Sequence, residues 1–364
     1  MLIDARPLQG RSAKRGIGSY VRGLLEGFAE APPKQTLALL VDAKLPRPDV
    51  DARFTLVEVR RRYRGRLAAY EDAAVLGGDL DRIRPAAFHA TTLSLPSRSP
   101  CPVLVTLHDL IPWAWGGPWM IGERFRHYPG KRLLRRAEHV IAVSEASAAD
   151  GIHHGGIARD RIEVIPEAAG AAFREAVGAA ARVESRWGLT RPFLLYSGAL
   201  DRRKDPVGLV RAWRAVKRTG FDADLVITGD PGAQAPGRMG GARLLGYVTD
   251  EELADLYRAA ACFVYPSRYE GFGLPLLEAM SCGCPVVAYD NSSIPELVDG
   301  FGGLVRDGDA LALGRKAAEL GQDGEARKEA VTAGLRKASG YSWARTARAT
   351  ARAYDRVCAM VRAR

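Results

Sequence analysis

The sequence lacks any long hydrophobic run. None of its apolar stretches approaches the ~20 residues that a helix needs to cross a bilayer. The first residues, from Met1 to Arg6, already carry charge and lack the apolar stretch of a signal peptide. These two absences predict a protein that stays in the cytoplasm.

Metal-binding and disulfide patterns are also missing. The five cysteines are scattered, and Cys282 and Cys284 stand too close together for a usual zinc knuckle. We interpret all five as small, inert residues. No Asp-x-Asp pair follows a predicted strand, and Asp109 and Asp230 each stand alone as acids near strand ends. The sequence therefore predicts no metal site.

The net charge of +11 is not gathered in one segment. Basic residues exceed acidic ones by similar margins in both halves of the chain, whereas a DNA-binding domain concentrates them on one face, so nucleic acid is not an expected partner. Two local basic clusters do stand out: Arg60, Arg61, Arg62, Arg64 and Arg66 around Tyr63, and Arg124, Arg126, Lys131, Arg132, Arg135 and Arg136. They are either ordinary solvated surface or a contact for an anionic acceptor or for the inner face of an anionic membrane.

Short β-branched strands alternate with amphipathic helices along most of the chain. Val103–Leu107 and Glu145–His153 illustrate the pattern in the first half, and Asp250–Ala259 and Cys262–Tyr265 in the second. This alternation is typical of βαβ units with parallel sheets, and 364 residues suit two domains. We therefore expect an α/β protein whose ligands bind at the carboxyl ends of the strands.

The domain boundary is predicted where the apolar strand end at Ile165 and Pro166 runs into small residues. We expect an N-terminal domain over 1–170 and a C-terminal domain over 171–344. The last stretch, about 345–364, predicts a helix that packs back on the first domain, with Trp343 as a packing anchor. Segment 230–242 has the glycine and proline content of a loop.

The segment 262–280 carries the most chemistry. A strand leads into a turn with Gly271 and Gly273, and Pro275 then opens a helix, where its missing N–H costs nothing. Free amides at such a turn, aided by the helix dipole, favour an anion such as a diphosphate. Glu270 is placed to accept hydrogen bonds from sugar hydroxyls, and Glu278 to grip a vicinal diol such as a ribose. The alternative for Glu278 is an acid that complements the helix dipole, and for Glu270 a surface turn residue.

Glu270 and Glu278, with seven residues between them, resemble the E-x7-E signature of the retaining glycosyltransferase family 4. The resemblance extends over most of the chain, through the segments 16–20, 106–112, 143–147, 161–166, 196–205 and 245–248. It implies a GT-B fold, in which two Rossmann-like domains flank a crevice.

The resemblance also implies roles for single residues. Glu270 would contact the donor sugar, Lys204 with Arg203 would neutralise the departing diphosphate, and His108 would lie near the transferred sugar. Donor binding would fall to Gly16, Gly18, Val248, Gly271, Phe272, Gly273, Leu274 and Glu278. His108 is alternatively a satisfied loop residue, and Gly16 and Gly18 alternatively only start a helix. One departure from the family is Ala199, which stands where many members have an arginine; Arg203 would supply that charge.

The implied activity is transfer of a sugar from a GDP-, dTDP- or UDP-sugar to a glycan, lipid-linked saccharide or natural product, in polysaccharide biosynthesis, with retention of anomeric configuration. No cofactor and no metal are expected. The stretch 289–296 resembles subgroups that use GDP-mannose or dTDP-rhamnose. The rivals are another enzyme on the same fold, such as an epimerase or a phosphorylase, and a basic module that binds nucleic acid or membrane.

Overall fold

The computed structural model describes residues 1–10, 13, 16–63, 65–229, 239–298 and 300–362, with side chains to residue 360. Most of the predicted loop at 230–242, including Asp230, and Arg64 of the first basic cluster therefore lie outside the described residues. The chain divides into two compact units: one comprises residues 1–168 and 342–364, and the other residues 169–341.

The first unit is built on a parallel sheet of seven described strands. In chain order these are β1 (Leu2–Asp4), β2 (Ala38–Asp42), β3 (Thr55–Val59), β4 (Phe88–Ala90), β5 (Val103–Leu107), β6 (His139–Ala142) and β7 (Ile162–Val164). Their order in the sheet is β3-β2-β1-β4-β5-β6-β7, and every neighbouring pair is parallel. The chain adds strands β2 and β3 on one side of β1 and strands β4 to β7 on the other, as in a doubly wound sheet.

Helices connect these strands and cover the sheet. They are α1 (Gly16–Glu30), α2 (Ala68–Ile83), α3 (Ile111–Ala114), α4 (Ile121–Leu134) and α5 (Glu145–His153). The helix α5 begins after a capping residue. The Ser144 side chain accepts a hydrogen bond from the amide of Ser147, which has no acceptor within the first turn of the helix.

The second unit repeats this plan with a parallel sheet of six described strands. These are β8 (Phe193–Ser197), β9 (Asp224–Thr228), β10 (Arg243–Gly246), β11 (Cys262–Tyr265), β12 (Val286–Asp290) and β13 (Leu304–Arg306), in the order β10-β9-β8-β11-β12-β13. Its helices are α6 (Ala179–Trp187), α7 (Pro206–Arg218), α8 (Asp250–Ala259), α9 (Leu274–Ser281), α10 (Ile294–Val298), α11 (Ala310–Gly321) and α12 (Glu325–Ala338). The two parallel sheets confirm the predicted pair of Rossmann-like α/β domains.

The last helix, α13 (Trp343–Arg362), belongs to the first unit and packs on α1. The contact depends on small residues, because a Cβ on Gly23 would lie 1.9 Å from Cε2 of Trp343 and one on Gly27 would lie 2.3 Å from its carbonyl oxygen. A buried polar chain adds specificity: Tyr354 of α13 is hydrogen-bonded to Nδ1 of His89 (2.7 Å), and Nε2 of His89 to Thr106 (2.8 Å). Burial lowers the pKa of His89 to about 3, so this chain is neutral.

An internal ion network corrects one reading of the first basic cluster. Arg61 is buried, with Nε at 2.6 Å from Asp72 and Nη1 at 2.8 Å from Asp79, and Asp72 also pairs with Arg6 at 2.7 Å. Burial disfavours the charge of Asp72, but the two guanidinium groups outweigh it and lower its pKa. Arg61 is therefore part of the interior and belongs neither to the solvated surface nor to a membrane contact.

No helix among the described residues is long and apolar enough to cross a membrane.

Candidate active site

A cation pair lies just beyond the end of β8. Residues 202–204 form one 3-10 turn, which begins at Asp201 because its carboxylate accepts hydrogen bonds from the amides of Arg203 and Lys204 at 2.9 and 3.1 Å. The turn directs Lys204 into the interior, where only 7% of the residue is exposed. A buried ammonium needs a partner of opposite charge close by.

Glu270, just beyond the end of β11, is that partner. Its Oε1 accepts hydrogen bonds from Nζ of Lys204, Nη1 of Arg203 (2.8 Å), the Tyr265 hydroxyl (2.9 Å) and the Ser267 hydroxyl. The described part of the chain provides no partner for the other oxygen, Oε2. One carboxylate oxygen thus holds the cations while the second remains open to a ligand.

The pKa values of this cluster reflect burial and charge together. Burial lowers the pKa of Lys204 to about 8, against the opposing attraction of Glu270. For Glu270, burial disfavours the charged form, but the cations of Arg203 and Lys204 outweigh it and lower the pKa to about 2. At neutral pH the cluster therefore holds one carboxylate and two cations, which leaves net positive charge at this strand end.

The turn from Glu270 to Leu274 presents backbone amides beside this cluster. Gly273 has φ 102°, a left-handed conformation that strains any other residue, and it caps the start of α9. The amides of Phe272, Gly273 and Leu274 have no acceptor among the described residues, as expected for the first turn of a helix. Such amides, with the positive end of the helix dipole, suit a phosphate.

Two serines that the sequence reasoning missed hold this turn in place. Ser292 Oγ accepts a hydrogen bond from the amide of Glu270 at 2.8 Å, and Ser293 Oγ donates to the carbonyl oxygens of Glu270 (3.1 Å) and Phe272 (3.0 Å). Both follow β12, and Ser292 has a positive φ of 47°. They lie in the stretch 289–296, which the sequence linked only to donor preference.

Glu278 lies on α9, five residues into the helix, and is partly exposed. The Tyr257 hydroxyl donates to its Oε2 at 3.4 Å. Val248, in the segment between β10 and α8, is also partly exposed. Neither position is sealed in the core.

Three glycines bring the neighbouring strand ends close together. The amide of Gly198, after β8, donates to Thr228 O at 3.0 Å, and the amide of Gly229, after β9, donates to Gly246 O at 2.8 Å. A Cβ on Gly229 would lie 2.7 Å from the carbonyl oxygen of Gly198. The carboxyl ends of β8, β9 and β10 therefore form one compact edge.

In the first unit, His108 follows β5 and contacts a buried carboxylate that the sequence did not single out. Its Nδ1 is 2.9 Å from Oε1 of Glu167, and its Nε2 is 3.2 Å from the carbonyl oxygen of Thr91. The ring of Tyr20 meets it edge-on, with centroids 4.8 Å apart. The only sequence signal for Glu167 was its position after the β7 strand end. His108 is thus held in a fixed orientation at the carboxyl edge of the sheet.

Gly16 and Gly18 lie in the first turn of α1, so the helix-start reading of these glycines is confirmed. No described atom lies within 4 Å of a Cβ placed on Gly16. Packing within the described residues therefore gives no reason for glycine at this position.

The carboxylates near strand ends have structural partners. Asp109 Oδ1 accepts a hydrogen bond at 3.1 Å from the amide of Ile111, two residues further along the chain. One Asp-x-Asp pair does follow a strand of the structure: Asp307 and Asp309 come directly after β13, which was not among the predicted strands. Asp309 caps α11, and Asp307 accepts from Asn291 at 2.8 Å. Within the described ranges, no three His, Cys, Asp or Glu side chains lie together as metal ligands would.

Two family models match the chain, one on each half. Residues 14–169 match the model for glycosyltransferase family 4, and residues 179–337 match the model for glycosyl transferases group 1.

A curated relative points to the same class of protein. The chain is 35% identical over 237 residues to an O-antigen chain mannosyltransferase B from Escherichia coli. The aligned region covers 61% of this chain and 61% of the relative. The chain thus spans about three fifths of the length of that protein.

Solved structures show the same fold. A sucrose-phosphate synthase from Thermosynechococcus elongatus superimposes with a TM-score of 0.79 at 21% identity, over 99% of this chain and 98% of that chain. HepE of Anabaena, in complex with UDP-glucose, gives a TM-score of 0.70 at 18% identity, over 97% and 98% of the two chains. The predicted GT-B fold is confirmed.

Proposed function

We propose that this chain, a glycosyltransferase of the GT-B type with a family 4 domain and a group 1 domain, transfers a sugar from a nucleoside-diphosphate sugar to a glycan, a lipid-linked saccharide or a natural product, with retention of anomeric configuration. The observation that carries the proposal is the cluster of Arg203, Lys204 and Glu270 beside the start of α9. It combines two cations, free helix amides and a carboxylate with an open oxygen.

This arrangement suits departure of a diphosphate. The difficult step places negative charge on the leaving oxygen, and preorganised positive charge stabilises that change most. Lys204 and Arg203 supply the side-chain cations, and the amides at 272–274 supply the helix terminus. The open oxygen of Glu270 would accept a hydrogen bond from a donor hydroxyl and so fix the sugar.

The relatives support a choice of donor and acceptor. Because the Escherichia coli relative is named as an O-antigen chain mannosyltransferase, we propose a mannosyl or related hexosyl donor and a growing polysaccharide as acceptor. GDP-, dTDP- and UDP-sugars all remain candidate donors. HepE was solved with UDP-glucose, which shows that this fold accommodates a nucleotide sugar of this size.

A thermal-shift screen against UDP, GDP, dTDP and ADP tests the donor. A ligand that binds only the folded protein raises the melting temperature as its concentration exceeds the dissociation constant. One diphosphate should raise it more than the others and more than its own monophosphate, because the cations contact the diphosphate. The Lys204→Ala variant, compared at its own melting temperature, should lose most of that shift. No shift with any nucleotide in the wild type would contradict the proposal.

NMR of the product's anomeric proton tests retention. An α-linked donor should give an α-linked product. An inverted linkage would contradict retention without affecting the assignment as a glycosyltransferase.

A further inference from the structure

The exposed side of α4 carries large apolar side chains. Ile121, Phe125 and Tyr128 lie one and two turns apart on one face, and 73%, 51% and 50% of these residues are exposed. Trp119, in the turn before the helix, is 48% exposed. The opposite side of the helix is buried through Pro129, Gly130, Leu133 and Leu134. Scattered apolar residues are normal on a surface, but a contiguous group marks a contact.

The same helical stripe continues as basic residues. Arg132 and Arg135 follow Tyr128 at intervals of four and three residues, and both are exposed. Arg66 adds a third cation at the apolar end, since a Cβ on Gly122 would lie 3.6 Å from its Nη2. Glu123, the one acid of α4, is already paired with Arg126 at 3.2 Å. The stripe is therefore apolar at its N-terminal end and cationic at its C-terminal end.

A cavity of about 420 Å³ opens beside the cationic end. It is lined by Tyr128, Lys131, Arg132, Arg135, His153, His154, Gly155 and Gly156. This lining has three permanent cations and no acid, which favours an anion such as the phosphate of a lipid headgroup.

Not every arginine of the two basic clusters belongs to this face. Arg61 is bound internally by Asp72 and Asp79, and Nε of Arg124 donates to the carbonyl oxygen of Pro112 at 2.7 Å. We call the remaining surface the α4 face, defined by Trp119, Ile121, Phe125, Tyr128, Arg132 and Arg135.

We propose that the α4 face binds the surface of an anionic lipid bilayer. Aromatic and aliphatic side chains enter the boundary between headgroups and acyl chains, and neighbouring cations pair with lipid phosphates; the α4 face provides both in one stripe. A protein partner would need acidic residues to meet these cations, and the tests below distinguish such a partner from a bilayer. The inference goes beyond sugar transfer and does not depend on which donor is used.

Vesicle flotation tests the proposal. The protein is mixed with phosphatidylcholine vesicles, with and without phosphatidylglycerol, at low and physiological salt. Binding is expected only with the anionic lipid and should weaken with salt, because exposed charges are screened. The Trp119 side chain should meanwhile be quenched by brominated lipid.

Two double variants and their matched controls separate the contributions. Arg132→Gln with Arg135→Gln should lower the partition coefficient by about tenfold or more, since each cation near the surface contributes. Ile121→Ser with Phe125→Ser should reduce both binding and the quenching of Trp119. The controls are Val177→Ser with Val207→Ser, at exposed apolar positions of the second unit, and Arg211→Gln with Arg218→Gln, at exposed basic positions. Both controls should bind like the wild type, and far-UV circular dichroism should show that all four variants are folded.

Three results would overturn the proposal. The first is equal binding, or none, on neutral and anionic vesicles. The second is unchanged binding in both α4-face variants. The third is a concentration-dependent dimer that the Ile121→Ser and Phe125→Ser changes abolish, which would assign the face to a second copy of the chain.

Discussion

Burial and a neighbouring carboxylate have opposite effects on the pKa of the Lys204 ammonium. The ammonium donates a hydrogen bond to Glu270, and burial lowers its pKa to about 8 against the opposing attraction of that carboxylate. A diphosphate that takes over part of this pairing needs the ammonium in its charged form. We therefore expect the affinity for a diphosphate to depend on the protonation of Lys204.

We predict that nucleoside-diphosphate affinity falls as the pH rises above about 8. Below that pH Lys204 is charged and attracts the phosphates; above it the neutral amine does not, and the loss approaches tenfold per pH unit. Calorimetric titration between about pH 6.5 and 9.5 measures this. The Lys204→Met variant should bind weakly at every pH and show no alkaline decline. A wild-type affinity that stays constant to pH 9.5 would contradict the prediction.

Glu278 is the candidate residue for binding the ribose of the donor. If its carboxylate grips the ribose, Glu278→Gln should weaken nucleotide binding by about 1.5–3 kcal/mol, the usual value of a hydrogen bond to a charged group, without unfolding the protein. The control is Tyr257→Phe, which removes the hydroxyl that donates to Glu278 and leaves the carboxylate in place. Unchanged affinity in Glu278→Gln would contradict a role for this carboxylate in binding the ribose.

At the scale of elements, the contact of α1 with α13 depends on the absence of side chains at Gly23 and Gly27. We predict that Gly23→Ala lowers the free energy of unfolding by about 1–3 kcal/mol, the usual cost of overpacking, because the added methyl would overlap the Trp343 ring. Gly78→Ala is the matched control: Gly78 lies in α2 with no atom within 4 Å of a Cβ, so alanine there should be neutral or should add about 0.5–1 kcal/mol. Urea denaturation of both variants measures the difference, and equal stabilities would refute the packing argument.

Elements with a clear apolar pattern were predictable from the sequence, and elements with few apolar residues were not. The bounds of α5, α8, β5 and β11 agree with the predicted bounds, because each has a clear apolar pattern and a clear start or stop signal. The strands β1, β10 and β13 were missed, since each contains only two apolar residues and so shows no clear pattern. Yet β1 is a central strand, which pairs with β2 on one side and with β4 on the other. Its residues were considered only in the search for a signal peptide.

The candidate site shows the same limit. Glu270, Lys204 and Arg203 were named through their resemblance to a family motif, and the structure brings these three together. Ser292, Ser293 and Glu167 were not named, because each acts on a partner 21 to 59 residues away in the chain. Contacts of this kind depend on tertiary structure and leave no local pattern.

At the scale of the whole molecule, the central expectation is catalysis without a metal ion. A sugar diphosphate carries about two negative charges. Lys204 and Arg203, less the carboxylate of Glu270, leave about one positive charge, and the helix terminus adds about half a charge, which together offset most of the diphosphate charge. We predict that sugar transfer persists in EDTA, measured as nucleotide release from the donor. Lys204→Ala should cost turnover far more than it costs thermal stability. Loss of activity in EDTA with recovery in manganese would contradict this account of the leaving-group site.

The placement of α13 has a consequence for the order of events during synthesis. The first unit takes its last helix from residues 343–362, which the ribosome makes after the whole of the second unit. Until then the buried hydroxyl of Tyr354 is absent from His89, and the glycines of α1 face no Trp343. The half of the chain that is made first is therefore the half that finishes folding last, and it must remain unaggregated with an uncovered helix while the second unit emerges.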